Sequence, residues 1–354
     1  MSPNMQISGI EKAIGRKIRL TAVYCRRILL AKNHQKCPWY KKLKANLSGG
    51  FLADQWILYD LDHNDRREYL SEYDWYRSRY INEPFSFLLN NKIIASEMLK
   101  QHIRVPENYV IKNGDFLVDL KGGMLGYNEA IEVLKAKGQV FIKPFDKGKG
   151  TDINLLSYRE GQFYVDARPC SDKSLAALLK SRKNWYMSES VEQSDYASNL
   201  FEKTANTIRI ITLRSPETKE LVIFFAVQRI GTEKTIPVDN GSQGGLISKI
   251  DIGTGVLSEA RSLHGLAAYP KHPDSHSQIE GVVVPFWEET KRQVLSLANK
   301  LPYMHFVAWD ILMTQKGICV IEANTSSGVN IIQLWGGQRN RELGNFYRFH
   351  NIIN

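Results

Sequence analysis

Asp310, Glu322 and Asn324, near the end of the 354-residue chain, form the arrangement most able to do chemistry. The segments HFVAWDILMT and GICVIEANT read as two strands joined by a turn at Gln315 to Gly317. Residues two apart on a strand project to one face, so Glu322 and Asn324 point together. The antiparallel return brings Asp310 beside them. Two carboxylates and an amide oxygen are hard ligands suited to Mg²⁺, which takes few protein ligands and completes its shell with water and phosphate. The alternative is a surface hairpin with ordinary polar residues. The neighbours Val307, Ala308, Trp309, Ile311, Leu312, Ile318, Val320, Ile321 and Ala323 are apolar, however, so the hairpin reads as buried. A buried carboxylate needs a partner.

A second group is Lys143, at the end of the strand QVFIKPF, with the loop Asp146-Lys147-Gly148-Lys149-Gly150-Thr151 after it. Glycines let backbone N–H groups approach phosphate oxygens, and lysines add charge, so such a loop can cover a nucleotide's phosphates. A plain hairpin turn is the competing reading. The spacing to a Lys-Ser/Thr pair that defines a P-loop is absent.

The elements that must hold these groups alternate from about residue 90. YNEAIEVLKAKG reads as a helix ended by Gly138, DINLLSYREGQFYVDAR as a hairpin turning at Gly161, and residues 172 to 182 as a helix. NWYMSESV, TIRIITLR and ELVIFFAVQRI follow as strands, then the helix PFWEETKRQVLSLANKL. Residues 50 to 85 read as short helices and connectors. The fold class expected is α+β with mostly antiparallel sheets.

Hydrophobic residues make up 43% of the chain and charged residues 24%, the composition of an ordered globular protein. Cys25, Cys37, Cys170 and Cys319 form no C-x-x-C pair, and no histidines stand at zinc spacing, which fits a reducing compartment. No apolar run is long enough to span a bilayer and the first residues lack a signal-peptide pattern, so a cytoplasmic protein is expected, with a peripheral place at the inner membrane face open. The net charge of +10 is concentrated. Residues 1–45 hold eleven Lys and Arg against the single acid Glu11, leaving 36 basic and 36 acidic residues in the rest. Ile10, Ile14, Ile18, Ala22, Cys25 and Leu29 recur at helical spacing within this segment, a basic amphipathic helix of the kind that lies on anionic lipid. Docking of the same stripe on the body is the other reading. Nucleic-acid binding is not expected, because aromatic stacking residues are not interleaved with the charge.

Lys92 in LLNNK, Lys143 in FIKP, the glycine loop, Glu189 in WYMSESVEQ, Asn206 and Arg209 in NTIRIITL, the DNGSQGG loop and WDI...IEANT occur in an order that resembles the ATP-grasp family. The likeness is closest to its sugar-transfer-associated branch and covers about residues 80 to 340. It implies two α+β lobes closing on ATP between antiparallel sheets. Residues 1–80 would be a basic, mostly helical extension, 81–140 the first lobe, 141–205 the small lobe with the phosphate loop, and 206–354 the large lobe.

The resemblance further implies that Lys92, Lys143, Lys147, Gly148, Gly150 and Asn206 contact the nucleotide, with Glu189 to Val191 as the hinge beside adenine and ribose. Arg209 and Arg229 would face the transferring phosphoryl group, and Asp310, Glu322 and Asn324 would bind Mg²⁺. Asp239, Asn240, Gly244 and Gly245 would line the acceptor side. The chemistry implied is ATP-dependent joining of a carboxylate to an amine through an acyl phosphate, on a small-molecule or lipid-linked sugar substrate. A kinase acting on a hydroxyl shares the same ATP half, and an inactive nucleotide-binding scaffold is a third reading.

Overall fold

Two seven-stranded sheets, antiparallel in every strand pairing, carry the molecule; this computed structural model describes residues 3–145 and 152–354, without the side chains of 3–13. The first sheet runs in the order β2-β1-β7-β3-β4-β5-β6. Its strands are β1 (Asn108–Asn113), β2 (Phe116–Asp119), β3 (Gln139–Lys143), β4 (Asn154–Arg159), β5 (Gln162–Val165), β6 (Arg168–Cys170) and β7 (Asn184–Glu189). The second runs β12-β11-β10-β9-β8-β13-β14. It contains β8 (Ile208–Arg214), β9 (Leu221–Ile230), β10 (Leu246–Ile250), β11 (Leu257–Ser262), β12 (Ala268–Tyr269), β13 (Phe306–Thr314) and β14 (Gly317–Asn324).

The helices are α1 (Pro3–Tyr24), α2 (Trp39–Leu47), α3 (Ala53–Leu58), α4 (Glu72–Ser78), α5 (Phe87–Asn90) and α6 (Lys92–Leu99), followed by α7 (Tyr127–Lys137), α8 (Asp172–Ser181), α9 (Asp195–Leu200), α10 (Trp287–Asn299), α11 (Val329–Ile332) and α12 (Glu342–Phe349). A π-helical turn, Cys25–Leu29, continues α1.

Alternation along the strands decides what each sheet covers. In the first sheet Val110, Val140, Ile142, Trp185 and Met187 face α7 and α8, whose Ala130, Leu134, Leu175 and Leu179 complete one apolar core. Helix α7 stops at Gly138, which takes φ +71°, and α8 starts at Ser171, whose hydroxyl accepts from Ser174 N. The second sheet is covered on both faces. Ile208, Ile210, Trp309 and Ile311 pack toward α6 and α10. Ile211, Leu213, Phe225, Val227, Phe306 and Ala308 pack on the other face against Phe51, Trp56, Leu70, Leu343 and Phe346.

The N-terminal segment is thereby stitched to the C-terminal one. Gln333 accepts from Leu70 N and donates to Leu70 O, Tyr347 donates to Ser78 Oγ (3.0 Å), and Arg339 reaches Asp74 at 3.3 Å. One sequence reading docks the stripe Ile10, Ile14, Ile18, Ala22, Cys25 and Leu29 on the body, but Ile14, Ile18, Ala22 and Cys25 are exposed, Ile18 by 64%, and Leu29 alone of the described members is half-buried. The body is met instead by Tyr24, which donates to Asn46 O, and by fully buried Ile28. Among the described side chains of α1 the half-buried apolar residues are Leu20 and Val23, off that stripe, so the helix turns toward the body a face other than the one the apolar spacing marks.

The first sheet is reached and left through neighbouring connections to one hairpin of the second. Arg104 O accepts from Val320 N on β14 (2.9 Å), and Ser194 N donates to Met313 O on β13 (2.7 Å). Arg104 also pairs with Glu189 at 2.9 Å.

Candidate active site

A cavity of about 650 Å³ lies between the two sheets, within the range of small-molecule sites. Its floor follows from the alternation that builds the core. On one face β8 presents Arg209 and then Ile211 and Leu213, β9 presents Phe225, Val227 and then Arg229, and β13 presents Phe306, Ala308 and then Asp310. The face is apolar where it meets the helices and charged where it meets the cavity.

Register brings the charges together. Arg209 and Asp310 are cross-strand partners, as are Asp310 and Glu322. Arg209 Nε and Nη2 each donate to Asp310 at 2.7 Å, a bidentate pair. Arg229 Nη1 reaches the same carboxylate at 3.2 Å, and its Nη2 donates to Asp239 at 2.6 Å. Asp239 also accepts from Thr207 N (2.7 Å) and Thr207 Oγ1 (2.6 Å), so both its oxygens hold neighbouring groups in place. Burial pushes the Asp310 carboxyl upward, but Arg209, followed by Arg229, outweighs it and holds the group below the usual carboxylate range.

Above this network stand two lysines. Asn91 caps α6 by accepting from Ile93 N and Ile94 N, which sets Lys92 with its Nζ 3.8 Å from Glu322 Oε1. Lys143 ends β3 on the opposite sheet and lines the same cavity. Burial, reinforced by the Lys92 charge and opposed by Glu322, lowers its pKa to about 8. Tyr186, Phe141, Ile153 and Val191 supply apolar wall.

The expected metal set is gathered here. Glu322 and Asn324 line the cavity on β14 with Asp310 opposite, and Asn324 is the cross-strand partner of Ala308. Among the described residues no three His, Cys, Asp or Glu side chains cluster for a metal, so the set is two carboxylates and an amide. Its chemistry fits Mg²⁺: all donors are hard oxygens, and phosphate and water would complete the shell. Among the described residues Asp310 Oδ1 accepts from Arg209 alone, which leaves that oxygen acceptor capacity for a cation.

Other expectations change. Asn206 is fully buried and does not line the cavity. Its oxygen accepts from Thr204 Oγ1 and Gly231 N, and its amide donates to Ala197 O and Phe201 O, so its bonds hold a loop together rather than reach a nucleotide. Gly244 and Gly245 also stay off the cavity wall. Gly244 ends a 3₁₀ turn at φ +114°, and a Cβ on Gly245 would meet Asp239 O at 2.7 Å, so both shape the loop. Asn240 lines the cavity and caps that turn by accepting from Ser242 N. Glu189 lines it too, its oxygens accepting from Arg104 Nη2 and Glu107 N. Lys147, Gly148 and Gly150 lie outside the described residues.

Sequence reasoning missed one whole wall. Arg27, Trp75 and Arg79 from the N-terminal segment, with Ser327 and Asn330 from the loop after β14, line the cavity. Their contacts cross some 250 positions of sequence, and no local pattern announces them.

Two lobes of antiparallel sheet enclosing paired lysines, arginines and hard-oxygen ligands define the ATP-grasp class. Residues 72–345 match the model described as sugar-transfer associated ATP-grasp, and the chain belongs to that family. Solved structures with similar folds include D-alanyl-alanine synthetase A from Vibrio cholerae O1 biovar eltor, with 12% identity and TM-score 0.42, over 75% of this chain and 63% of that one. An ADP complex of N5-carboxyaminoimidazole ribonucleotide synthetase has 13% identity and TM-score 0.40, over 70% and 48%. The ATP-grasp ligase PsnB, complexed with minimal precursor, Mg and ADP, has 14% identity and TM-score 0.35, over 70% and 53%. The chain thus spans about half to two thirds of the length of these structures. No curated protein is significantly similar in sequence. No helix among the described residues is long and apolar enough to cross a membrane.

Proposed function

We propose that the protein is an ATP-dependent carboxylate–amine ligase acting on a small or lipid-linked sugar substrate. The observation that carries this is the gathering of Lys92, Lys143, Arg209 and Arg229 with Asp310, Glu322 and Asn324 around one cavity. In the reaction a carboxylate oxygen attacks the γ-phosphorus of ATP and ADP departs; an amine then attacks the acyl carbon and inorganic phosphate departs. Mg²⁺ held by Asp310, Glu322 and Asn324 would neutralise phosphate charge. Lys92 and Lys143 face the phosphates from opposite lobes, and Arg209 and Arg229, fixed by Asp310 and Asp239, offer preorganised charge to the transferring group.

The test is ³¹P NMR of protein incubated with Mg²⁺-ATP, mixed amino acids and uronic-acid acceptors, with Glu322→Gln as control. ADP plus free phosphate that requires both co-substrates and Glu322 is the expected result. A new phosphoester resonance would replace the ligase with a kinase.

We also infer that the basic segment meets an anionic membrane surface. Trp39, Tyr40, Leu43 and Leu47 lie within one arc of α2, and all four are exposed, Trp39 by 77%. Lys44 flanks that arc, and the segment carries the excess charge of the chain. Equal sedimentation with neutral and anionic vesicles at low salt would refute this contact.

A further inference from the structure

We propose that the N-terminal segment builds the acceptor end of the cavity, an anion subsite in which Arg27 and Arg79 hold a carboxylate or phosphate of the substrate away from its reacting atoms. The assignment rests on the ligase reading and gives the substrate a chemical class.

The two ends of the cavity differ in how their charges are satisfied. At the metal end Arg209, Arg229 and Lys92 face Asp310, Asp239 and Glu322 within ion-pair range. At the other end Arg27, on the π turn, and Arg79, the C-cap of α4, are exposed to solvent and form no ion pair among the described residues. The Arg79 guanidinium carbon stands 5.8 Å from the Trp75 ring centroid, which limits its swing. The acid nearby, Glu72, accepts from Gln55 Nε2 at 2.9 Å.

Two buried donors at this end lack partners. Ser327 is 2% exposed and lines the cavity, and its Oγ has no hydrogen-bond partner among the described residues. The same is true of Trp75 Nε1. Both sit on one wall, because α11, which begins two residues after Ser327, packs on α4, where Ile331 and Trp75 join the same apolar cluster. Buried polar groups are normally satisfied, so two unpaired donors on residues that line one cavity leave that wall with donor capacity to spare.

Donor chemistry names the ligand. Two guanidinium groups and an indole N–H can only donate, and a hydroxyl can do so. The complement is an acceptor-rich anion, and charge-assisted bonds from arginine suit a carboxylate or phosphate better than a neutral hydroxyl. A free sugar acid and a phosphate-linked sugar share this chemistry.

The experiment is a ligand-observed NMR titration of the full chain, saturated with Mg²⁺-ADP, with D-glucuronate, glucose 1-phosphate and uncharged glucose. Arg27→Ala, Arg79→Ala and Ser327→Ala are compared after melting curves confirm folding. At least one anion is expected to bind while glucose does not, and the carboxylate and phosphate arms tell the two sources apart. Each arginine substitution should weaken the anion about tenfold or more, with ADP affinity unchanged. Anions that bind no better than glucose, or bind both arginine variants as they bind the parent, would overturn the proposal. Failure of ADP to bind would instead sink the ligase reading. The anion titration without nucleotide would then decide the subsite alone, in its favour if the arginine variants lose the anion and against it otherwise.

Discussion

Asp239 is the keystone of the charged floor, and Asp239→Asn isolates what it does. The substitution keeps the shape and an acceptor for Thr207 N–H, but it sets an amide against the Arg229 guanidinium, 2.6 Å away in the parent. Removing one member of a buried ion pair costs about 3–5 kcal/mol. Arg229 keeps Asp310 at 3.2 Å and opens onto the cavity, so the expected loss is smaller, about 2–3 kcal/mol. For a lobe of this size that corresponds to a fall of about 5–10 °C in melting temperature. Arg229→Met and the double variant complete a cycle. Because both partners are then gone, the double variant should be more stable than the sum of the single losses predicts, by about 1.5–3 kcal/mol. The readout is thermal unfolding followed by tryptophan fluorescence. A shift under about 1 °C for Asp239→Asn, or losses that simply add, would refute the view that Asp239 positions Arg229.

Three further outcomes follow from the same geometry. Glu322→Gln should cut the tightening of ADP binding by Mg²⁺ by about tenfold while leaving Mg²⁺-free ADP affinity and melting nearly unchanged, as measured by calorimetry. Lys143, with its pKa lowered to about 8, should gain a proton as a nucleotide phosphate arrives; Mg²⁺-free ADP affinity is then constant below pH 8 and falls up to about tenfold per unit above it. Calorimetry at pH 8.5 in buffers of different ionisation enthalpy should show proton uptake, and proton release would contradict the sign. Gly337→Ala should destabilise the protein by about 2 kcal/mol or more, since its Cβ would collide with the backbone oxygen of Glu68; urea unfolding with an unchanged midpoint would count against that close packing.

What could be read from sequence was what is local. Asp310, Glu322 and Asn324 belong to one hairpin, so a period of two and a short turn suffice to bring them together, and the apolar flanks announce their burial. Arg209 follows from the same period. Asn206 was misread by one step of it: Thr207 and Arg209 line the cavity, so the residue before Thr207 turns to the opposite side and satisfies loop backbone. The strands β10 to β12 escaped notice because glycine-rich and polar segments around Gly241 to Gly265 blur the alternation. Trp75 and Arg79 reach the cavity through the packing of α4 on α11, and Arg27 from the π turn after α1, placements that charge and periodicity of a single segment do not encode.

The two connections that bind the first sheet to the β13–β14 hairpin act like a pair of pins on one door. With Arg104 O held by β14 and Ser194 N by β13, the chain is fastened to that one hairpin both on its way into the first sheet and on its way out. Lys143 stands on the sheet so fastened, while Glu322 and Asp310 belong to the hairpin itself. The angle between that sheet and the hairpin therefore sets two things at once, the gap between Lys143 and the acidic pair and the width of the cavity between them, so charge spacing and access of water are tied to one geometric variable.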